Sequence, residues 1–102
     1  MSVKIGDVTT FAKVKPGKAQ VLKILEESAE VFSAWENMLK LEWREAYGAV
    51  TDSEARSVRD ALLDECADVI QATCNLIAAL EVDDFTPYTK ACDLRNKKRG
   101  RI

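Results

Sequence analysis

The sequence predicts an all-α fold, a helical bundle with two long antiparallel helices and a shorter C-terminal helix. Apolar residues recur at spacings of three and four in two long segments, the pattern of helices with one buried face. The stretch "YGAVTDSEA" between the segments carries turn and helix-start residues. At 102 residues the chain has the size of one domain, so we treat residues 1–102 as a single unit.

Residues 1–17 are predicted to form an irregular N-terminal arm. Its apolar residues alternate only weakly, and the arm ends at Pro16-Gly17, a strong break in regular structure. The first helix is then predicted from Lys18 to about Tyr47. Its buried face is predicted to be the stripe Val21, Leu25, Ala29, Phe32, Trp35 and Leu39. We expect Trp35 and Trp43 to pack in the core or at an interface rather than to stack on a base.

The second helix is predicted from about Asp52 to Leu80. Gly48 is expected to end the helix before it, and Thr51 with Glu54 three residues later matches a capping box. The stripe of this helix is Val58, Leu62, Glu65, Val69, Ala72 and Leu76. Glu65 is the one charged member, so this carboxylate occupies a core position.

A third, shorter helix is predicted from about Pro87 to Lys98, because proline fits the first turn of a helix. Residues 96–102 form a basic tail. The last thirteen residues contain a single acid, Asp93, against six bases: Lys90, Arg95, Lys97, Lys98, Arg99 and Arg101. A solvated chain end and a phosphate-binding segment both fit this composition.

Composition argues against several classes of protein. No signal peptide and no apolar run long enough for a membrane span is found, so we expect a cytoplasmic protein that does not bind membranes. The chain has no histidine, and its three cysteines lack CxxC spacing, which argues against a zinc site or a Cys-His nucleophile. We expect all three thiols to be buried. Nucleic acid binding is not expected, because the net charge is −2 and the tail lacks interleaved aromatics.

The acidic residues form two pairs with the same spacing. Glu27 and Glu30 lie three residues apart in the first helix, as do Glu65 and Asp68 in the second. The pairs are equidistant from the Tyr47-Gly48 turn, so an antiparallel hairpin places them at the same height. Four carboxylates at one level repel unless cations lie between them. Ligands that are all oxygen favour Mg²⁺, with Mn²⁺ as a substitute.

A solvated acidic face is the alternative for the first helix. Glu26 and Glu30 fall outside its predicted stripe, and Lys23 is close enough in sequence to pair with them. The core position of Glu65 and the symmetric register of the two pairs favour the metal site over this alternative.

The sequences "EESAE" (residues 26–30) and "ECAD" (65–68) resemble the EExxE…ExxD signature of the all-α NTP pyrophosphatases. This MazG-like group includes dimeric dUTPases, dCTP pyrophosphatases and phosphoribosyl-ATP pyrophosphatases. The resemblance spans about residues 18–101, and the ending "RNKKRGR" is similar to the tails of short, stand-alone members. The spacer of residues 31–64 is longer than in compact members.

The resemblance implies the all-α NTP pyrophosphatase fold and hydrolysis of a nucleoside triphosphate to the monophosphate and pyrophosphate. It implies that Glu27, Glu30, Glu65 and Asp68 bind Mg²⁺, with Glu26 and Glu27 as the catalytic acids, in a homodimer or a tetramer. Further candidates for binding the substrate are Asn75, Lys90, Asn96, Arg99 and Arg101. Narrower dCTP, dUTP or phosphoribosyl-ATP activities remain open, as does a non-catalytic helical interaction module.

Overall fold

A computed structural model describes all of residues 1–102 and contains three helices and no strand. They are α1 (Lys18–Tyr47), α2 (Asp52–Ala79) and α3 (Thr86–Lys98). The predicted all-α class, the two long helices and the shorter C-terminal helix are therefore confirmed. Residues 1–17 contain no helix or strand, and α3 ends at Lys98, so residues 96–98 belong both to α3 and to the basic segment at the end of the chain.

Helices α1 and α2 pack together as an antiparallel hairpin. Arg44 pairs with Glu54 next to the turn, and Glu27 lies near Glu65 farther along both helices. Thr51 is the N-cap of α2, and its hydroxyl accepts a hydrogen bond from the backbone N–H of Glu54 at 3.1 Å. The reciprocal half of the capping box does not form, because the Glu54 carboxylate pairs with Arg44 instead.

The predicted buried face of α1 is wrong. Leu25 and Phe32 are each 63% exposed and Trp35 is 43% exposed. Of the predicted stripe only Leu39 is half-buried. The other buried or half-buried residues of α1 share a neighbouring face, again at spacings of three and four, and are Gln20, Ile24, Glu27, Val31, Ala34, Met38 and Leu41. Helix α1 thus has two apolar faces, and spacing alone does not identify which one meets α2. We call the contact between this second face and α2 the seam.

The predicted stripe of α2 is confirmed, since all six of its members are buried or half-buried. Alanines lie at the buried positions of the seam, Ala34 in α1 and Ala72 in α2. Small side chains let two helices approach closely, so bulky residues such as Trp35 are turned out of the seam. We call the exposed stripe of α1 the outer face; it consists of Val21, Leu25, Ala29, Phe32 and Trp35.

The chain exposes far more surface than a compact monomer. Its radius of gyration is 17.2 Å, whereas a compact domain of this length has about 13 Å. Its accessible surface is 8383 Å², which exceeds by about 2,600 Å² the value typical of a monomer of this mass. Only Ala34, Ala72, Asn75 and Ala79 are buried. The fold is an open hairpin with unpartnered apolar faces.

Two polar side chains of α2 fasten the N-terminal arm. The Oδ1 atom of Asn75 accepts hydrogen bonds from the backbone N–H of Phe11 at 3.0 Å and from Nε2 of Gln71 at 3.1 Å. Gln71 also donates to the carbonyl oxygen of Thr9 at 3.0 Å. Asn75 is only 5% exposed, so the bonds to Oδ1 satisfy an amide oxygen that would be costly to bury alone.

Helix α2 ends in a Schellman motif. Glu81 donates its N–H to the carbonyl of Ala78 and Val82 donates to that of Ile77, with Glu81 in the left-handed region at φ 63°. Asp84 then accepts a hydrogen bond from the N–H of Thr86 at 3.0 Å, and Pro87 lies in the first turn of α3 as predicted. The hydrogen bonds of the Schellman motif thus end α2, and the hydrogen bond from Thr86 to Asp84 begins α3.

Helix α3 stands apart from the hairpin. None of its Cα atoms lies within 8 Å of a Cα atom of α1 or α2. It ends in a second Schellman motif, with Gly100 at φ 69° and hydrogen bonds from Gly100 to Lys97 and from Arg101 to Asn96. The exposed Cys92 on α3 corrects the prediction of three buried thiols, and Cys66 and Cys74 are half-buried.

Replacing Asn75 by alanine is expected to release the arm. The variant leaves the N–H of Phe11 without its acceptor, which costs about 1–3 kcal/mol where that group stays buried. We expect a lower free energy of unfolding in urea and faster proteolytic cleavage within residues 1–17. The exposed Asn37→Ala is the matched control, and equal stability of the two variants would contradict the anchoring role.

Candidate metal centre

Three carboxylates from the two long helices converge beside the seam. One carboxylate oxygen from each of Glu27, Glu65 and Asp68 lies within 4.8 Å of the other two. Glu27 comes from α1, whereas Glu65 and Asp68 lie one turn apart on α2. Glu27 and Glu65 are half-buried and Asp68 is exposed, so the cluster opens to solvent on the side of Asp68.

The surroundings of Glu65 oppose its negative charge. Partial burial of the carboxyl group is the largest cause, and it raises the pKa of Glu65 above its usual value. The negative charges of Glu30, Asp68, Glu27 and Asp64 raise this pKa further. Four acids therefore surround a fifth, and no base contributes to the shift. An arrangement of this kind is a favourable place for a cation.

Lys23 partly neutralises the α1 side of the cluster. Its Nζ atom lies 3.2 Å from Oε1 of Glu27 and 3.4 Å from Oε2 of Glu26. Hydrogen bonds to these two glutamates, first to Glu27, raise the pKa of the Lys23 ammonium. The spacing of four residues between Lys23 and Glu27 is the sequence signal for this ion pair, whereas the solvated-face alternative placed Lys23 with Glu26 and Glu30.

The other two glutamates of α1 lie outside the cluster of three. The Glu26 side chain is 66% exposed and pairs with Lys23. Glu30 is close enough to Glu65 to raise its pKa, but it contributes no oxygen to the group within 4.8 Å. The structure thus brings together three of the four predicted metal ligands and places the fourth beside them.

The donor set fits a hard divalent cation. All three side chains offer carboxylate oxygens, the ligands that Mg²⁺ and Mn²⁺ prefer. Mg²⁺ binds oxygens at about 2.0–2.1 Å and retains several waters, so the open side next to Asp68 suits it.

The predicted substrate residues lie near the end of α2, along α3 and at its end. Asn75 is buried, and its Oδ1 is bonded to Phe11 and Gln71. Lys90, Asn96 and Arg99 belong to α3 or its end, which packs on neither long helix. Asn96 accepts a hydrogen bond from Arg101 at 3.3 Å. The assignment of these residues to the substrate stays a prediction from the sequence.

Comparisons with protein families, with curated proteins and with solved structures give no match. The resemblance to the MazG-like group therefore rests on the two motifs alone. None of the helices combines the length and the apolar character that crossing a membrane requires.

The raised pKa of Glu65 predicts how stability depends on pH without divalent cations. The folded state holds the Glu65 proton more tightly than the unfolded chain, whose value is near 4.5. As pH rises from about 4.5, the contribution of Glu65 to the free energy of unfolding therefore decreases. The contribution of Asp84 to stability changes with pH in the opposite direction, because the pKa of Asp84 is lowered. That change falls at pH values below the usual pKa of 3.8.

We expect urea unfolding in EDTA to show this decrease between pH 4.5 and 7.5 in the wild type. In Glu65→Gln the decrease should be smaller, and the variant should be more stable than the wild type at the upper pH. The matched control Glu36→Gln, which replaces an exposed glutamate of α1, should keep the wild-type profile. An unchanged profile in Glu65→Gln would contradict the prediction.

Proposed function

We propose that this chain is a Mg²⁺-dependent nucleotide pyrophosphohydrolase that converts canonical or modified (d)NTPs to the monophosphate and pyrophosphate. The observation that carries the proposal is the convergence of Glu27, Glu65 and Asp68 from two helices. The similarity of "EESAE" and "ECAD" to the MazG-like signature supports the choice of reaction. Because nucleoside triphosphates are cytoplasmic metabolites, a cytoplasmic location is part of the proposal.

In the proposed reaction, water adds to a phosphorus atom and the bridging bond between the α and β phosphates breaks. Pyrophosphate leaves, and the nucleoside monophosphate remains. Glu27, Glu65 and Asp68 would hold Mg²⁺, and we assign Glu30 to the outer shell of the same cation. Bound Mg²⁺ supplies positive charge for the phosphate oxygens and lowers the pKa of bound water.

The residues around the ligands would position the triphosphate. Lys23 presents an ammonium group beside Glu27, where it can bind a phosphate oxygen once a cation occupies the cluster. Glu26 lies on the outer side of Lys23 and would hold that ammonium in place. No covalent nucleophile is required, which suits a chain without histidine.

A homodimer or a tetramer built through the outer face of α1 is part of the proposal. Leu25 and Phe32 are large, apolar and mostly exposed on the same helix that carries Glu27. The excess surface of about 2,600 Å² exceeds what one partner buries in a standard interface, about 800 Å². A second copy would cover this face without contacting the seam.

A non-catalytic interaction module is the second candidate. It is favoured by the exposed outer face of α1 and by the isolated position of α3. In that case the carboxylates of the cluster would be ordinary surface residues, and replacing them would have no functional consequence. Enzyme assay separates the two candidates.

Pyrophosphate release from a panel of the canonical (d)NTPs with Mg²⁺ tests the catalytic proposal. We expect the wild type to release pyrophosphate, and Glu65→Gln, which keeps the shape but removes a ligand charge, to lose at least about 100-fold in kcat/KM. Glu36→Gln should retain full activity. The substrate ranking would also separate broad activity from dCTP, dUTP or phosphoribosyl-ATP specificity, with phosphoribosyl-ATP added to the panel.

Binding of Mn²⁺ to the apoprotein supplies the second readout. We expect binding to the wild type and to Glu36→Gln, and much weaker binding to Glu65→Gln. Wild-type protein that neither binds Mn²⁺ nor hydrolyses a nucleotide would favour the interaction module.

Replacing Phe32 by aspartate tests the assembly. A buried, unpaired carboxylate in the proposed interface would cost several kcal/mol, so we expect a smaller particle mass by light scattering. Val3→Asp, at an exposed apolar residue of the arm, is the control and should keep the wild-type mass. Retention of the wild-type mass by Phe32→Asp would exclude the outer face as the interface.

A further inference from the structure

A second feature of the fold is an open cleft of about 840 Å³ between the arm, α2 and the start of α3. Its floor is apolar. Ile70, Cys74 and Ile77 contribute to the floor from α2, and Ile5 and Val8 contribute from the arm. The three α2 residues lie roughly 120° to 180° around the helix from Glu65, so the cleft is on the side away from the carboxylates.

The rim of the cleft is acidic. Asp7 lines it from the arm, and Glu81, Asp83 and Asp84 line it from the connection between α2 and α3. All four are exposed, and the residues that line the cleft include no lysine or arginine. A segment that fills the cleft must therefore combine apolar side chains with positive charge.

Helix α3 has this composition on one face. Tyr88, Ala91, Leu94, Arg95 and Lys98 follow one another at spacings of three, three, one and three residues, which places them on one side of the helix. Tyr88 is 57% and Leu94 is 60% exposed. We call this side the Leu94 face. None of its Cα atoms lies within 8 Å of a Cα atom of α1 or α2.

A helix of this length needs a packing partner. Isolated helices shorter than about 12–15 residues are marginal in water, and most helical stability comes from packing an amphipathic face. Helix α3 has 13 residues, none of them buried. The ordered caps at both of its ends show where the helix starts and stops, but they supply no such packing.

We propose that α3 of a second copy of this chain occupies the cleft, with Leu94 on the apolar floor and Arg95 and Lys98 against the acidic rim. Thr86 and Thr89, in the first turn of α3, themselves line the cleft. A two-fold axis near this turn places the two α3 helices side by side, each in the cleft of the other copy. Such an interface is isologous, the commonest type in dimers.

Charge and area both favour a second copy as the occupant. The acidic rim and the basic helix belong to the same chain. In a dimer of two copies, each basic helix therefore lies against the acidic rim of the other copy. The excess surface of about 2,600 Å² is large enough for this contact in addition to the outer face. The interface does not depend on the proposed enzymatic function.

Paired charge reversals test the proposal. One variant is Arg95→Glu/Lys98→Glu, which makes the Leu94 face acidic; the other is Asp7→Lys/Asp83→Lys, which makes the rim basic. Each variant alone places like charges together at both contacts of the dimer. An equimolar mixture restores opposite charges at both contacts, because basic rim meets acidic helix and acidic rim meets basic helix.

Sedimentation velocity over a range of protein concentrations gives the readout. We expect the dissociation constant of this association step to rise about tenfold or more in each variant and to return close to the wild-type value in the mixture. The matched control Lys13→Glu/Lys15→Glu carries the same change of charge on exposed residues of the arm that do not line the cleft, and it should associate like the wild type. Circular dichroism establishes that each variant keeps its helices.

Three outcomes would overturn the proposal. A monomeric wild type at all concentrations would mean that no second copy fills the cleft. Variants with wild-type association would place the contact elsewhere, for example on the outer face of α1 alone. Weakened variants that do not recover on mixing would show that general charge, rather than contact between rim and helix, controls association.

Discussion

The structure depends on the placement of two like charges in one helix contact. Glu27 and Glu65 take positions in the seam at which an amphipathic hairpin normally has apolar residues. Asp68 and Glu30 add negative charge at the same level, and Lys23 compensates only at Glu27. Repulsion among these acids therefore destabilises the contact between α1 and α2, and a bound cation would offset that repulsion.

This constraint explains the small residues elsewhere in the seam. The α1–α2 contact has alanines at its buried positions, and none of the large apolar side chains is fully buried. Alanine contributes little apolar area, so the seam adds less stability per residue than a contact between leucines would. The alanines allow the two helices to lie close together. Because the helices are close, carboxylates from both of them can reach one ion.

The sequence allowed the helices, their order and the unusual position of Glu65 to be predicted, because each has a local signal. Caps and turns define the helix ends, and a charge within an otherwise apolar stripe is visible without a structure. The face of α1 that packs on α2 was not predicted correctly, because Leu25 and Phe32 form as regular a pattern as Ile24 and Val31. Choosing between two apolar faces requires knowledge of the partner surface.

The roles of Asn75 and α3 also lie beyond local pattern. Asn75 shares a helix face with Asp68, which favoured a place in the site, but its amide is used by the backbone of residues 64 positions away in sequence. Such a contact leaves no periodic signal. The sequence shows that α3 is basic. It does not show that the Cα atoms of α3 lie more than 8 Å from those of both long helices, because that separation is a property of the tertiary structure.

The candidate site and the exposed apolar surfaces are linked through stability. A seam that carries acids and alanines buries little apolar surface. Small domains have a small free energy of unfolding, so a shortfall in buried apolar surface matters for them. The large apolar residues of α1 and the floor of the cleft lie on other sides of the hairpin, where the proposed second copy would bury them. Association through those surfaces would offset the cost of the acidic cluster without altering its geometry. Under the proposed association, the hairpin would gain stability at its outside and could keep repelling carboxylates at the site proposed for a cation.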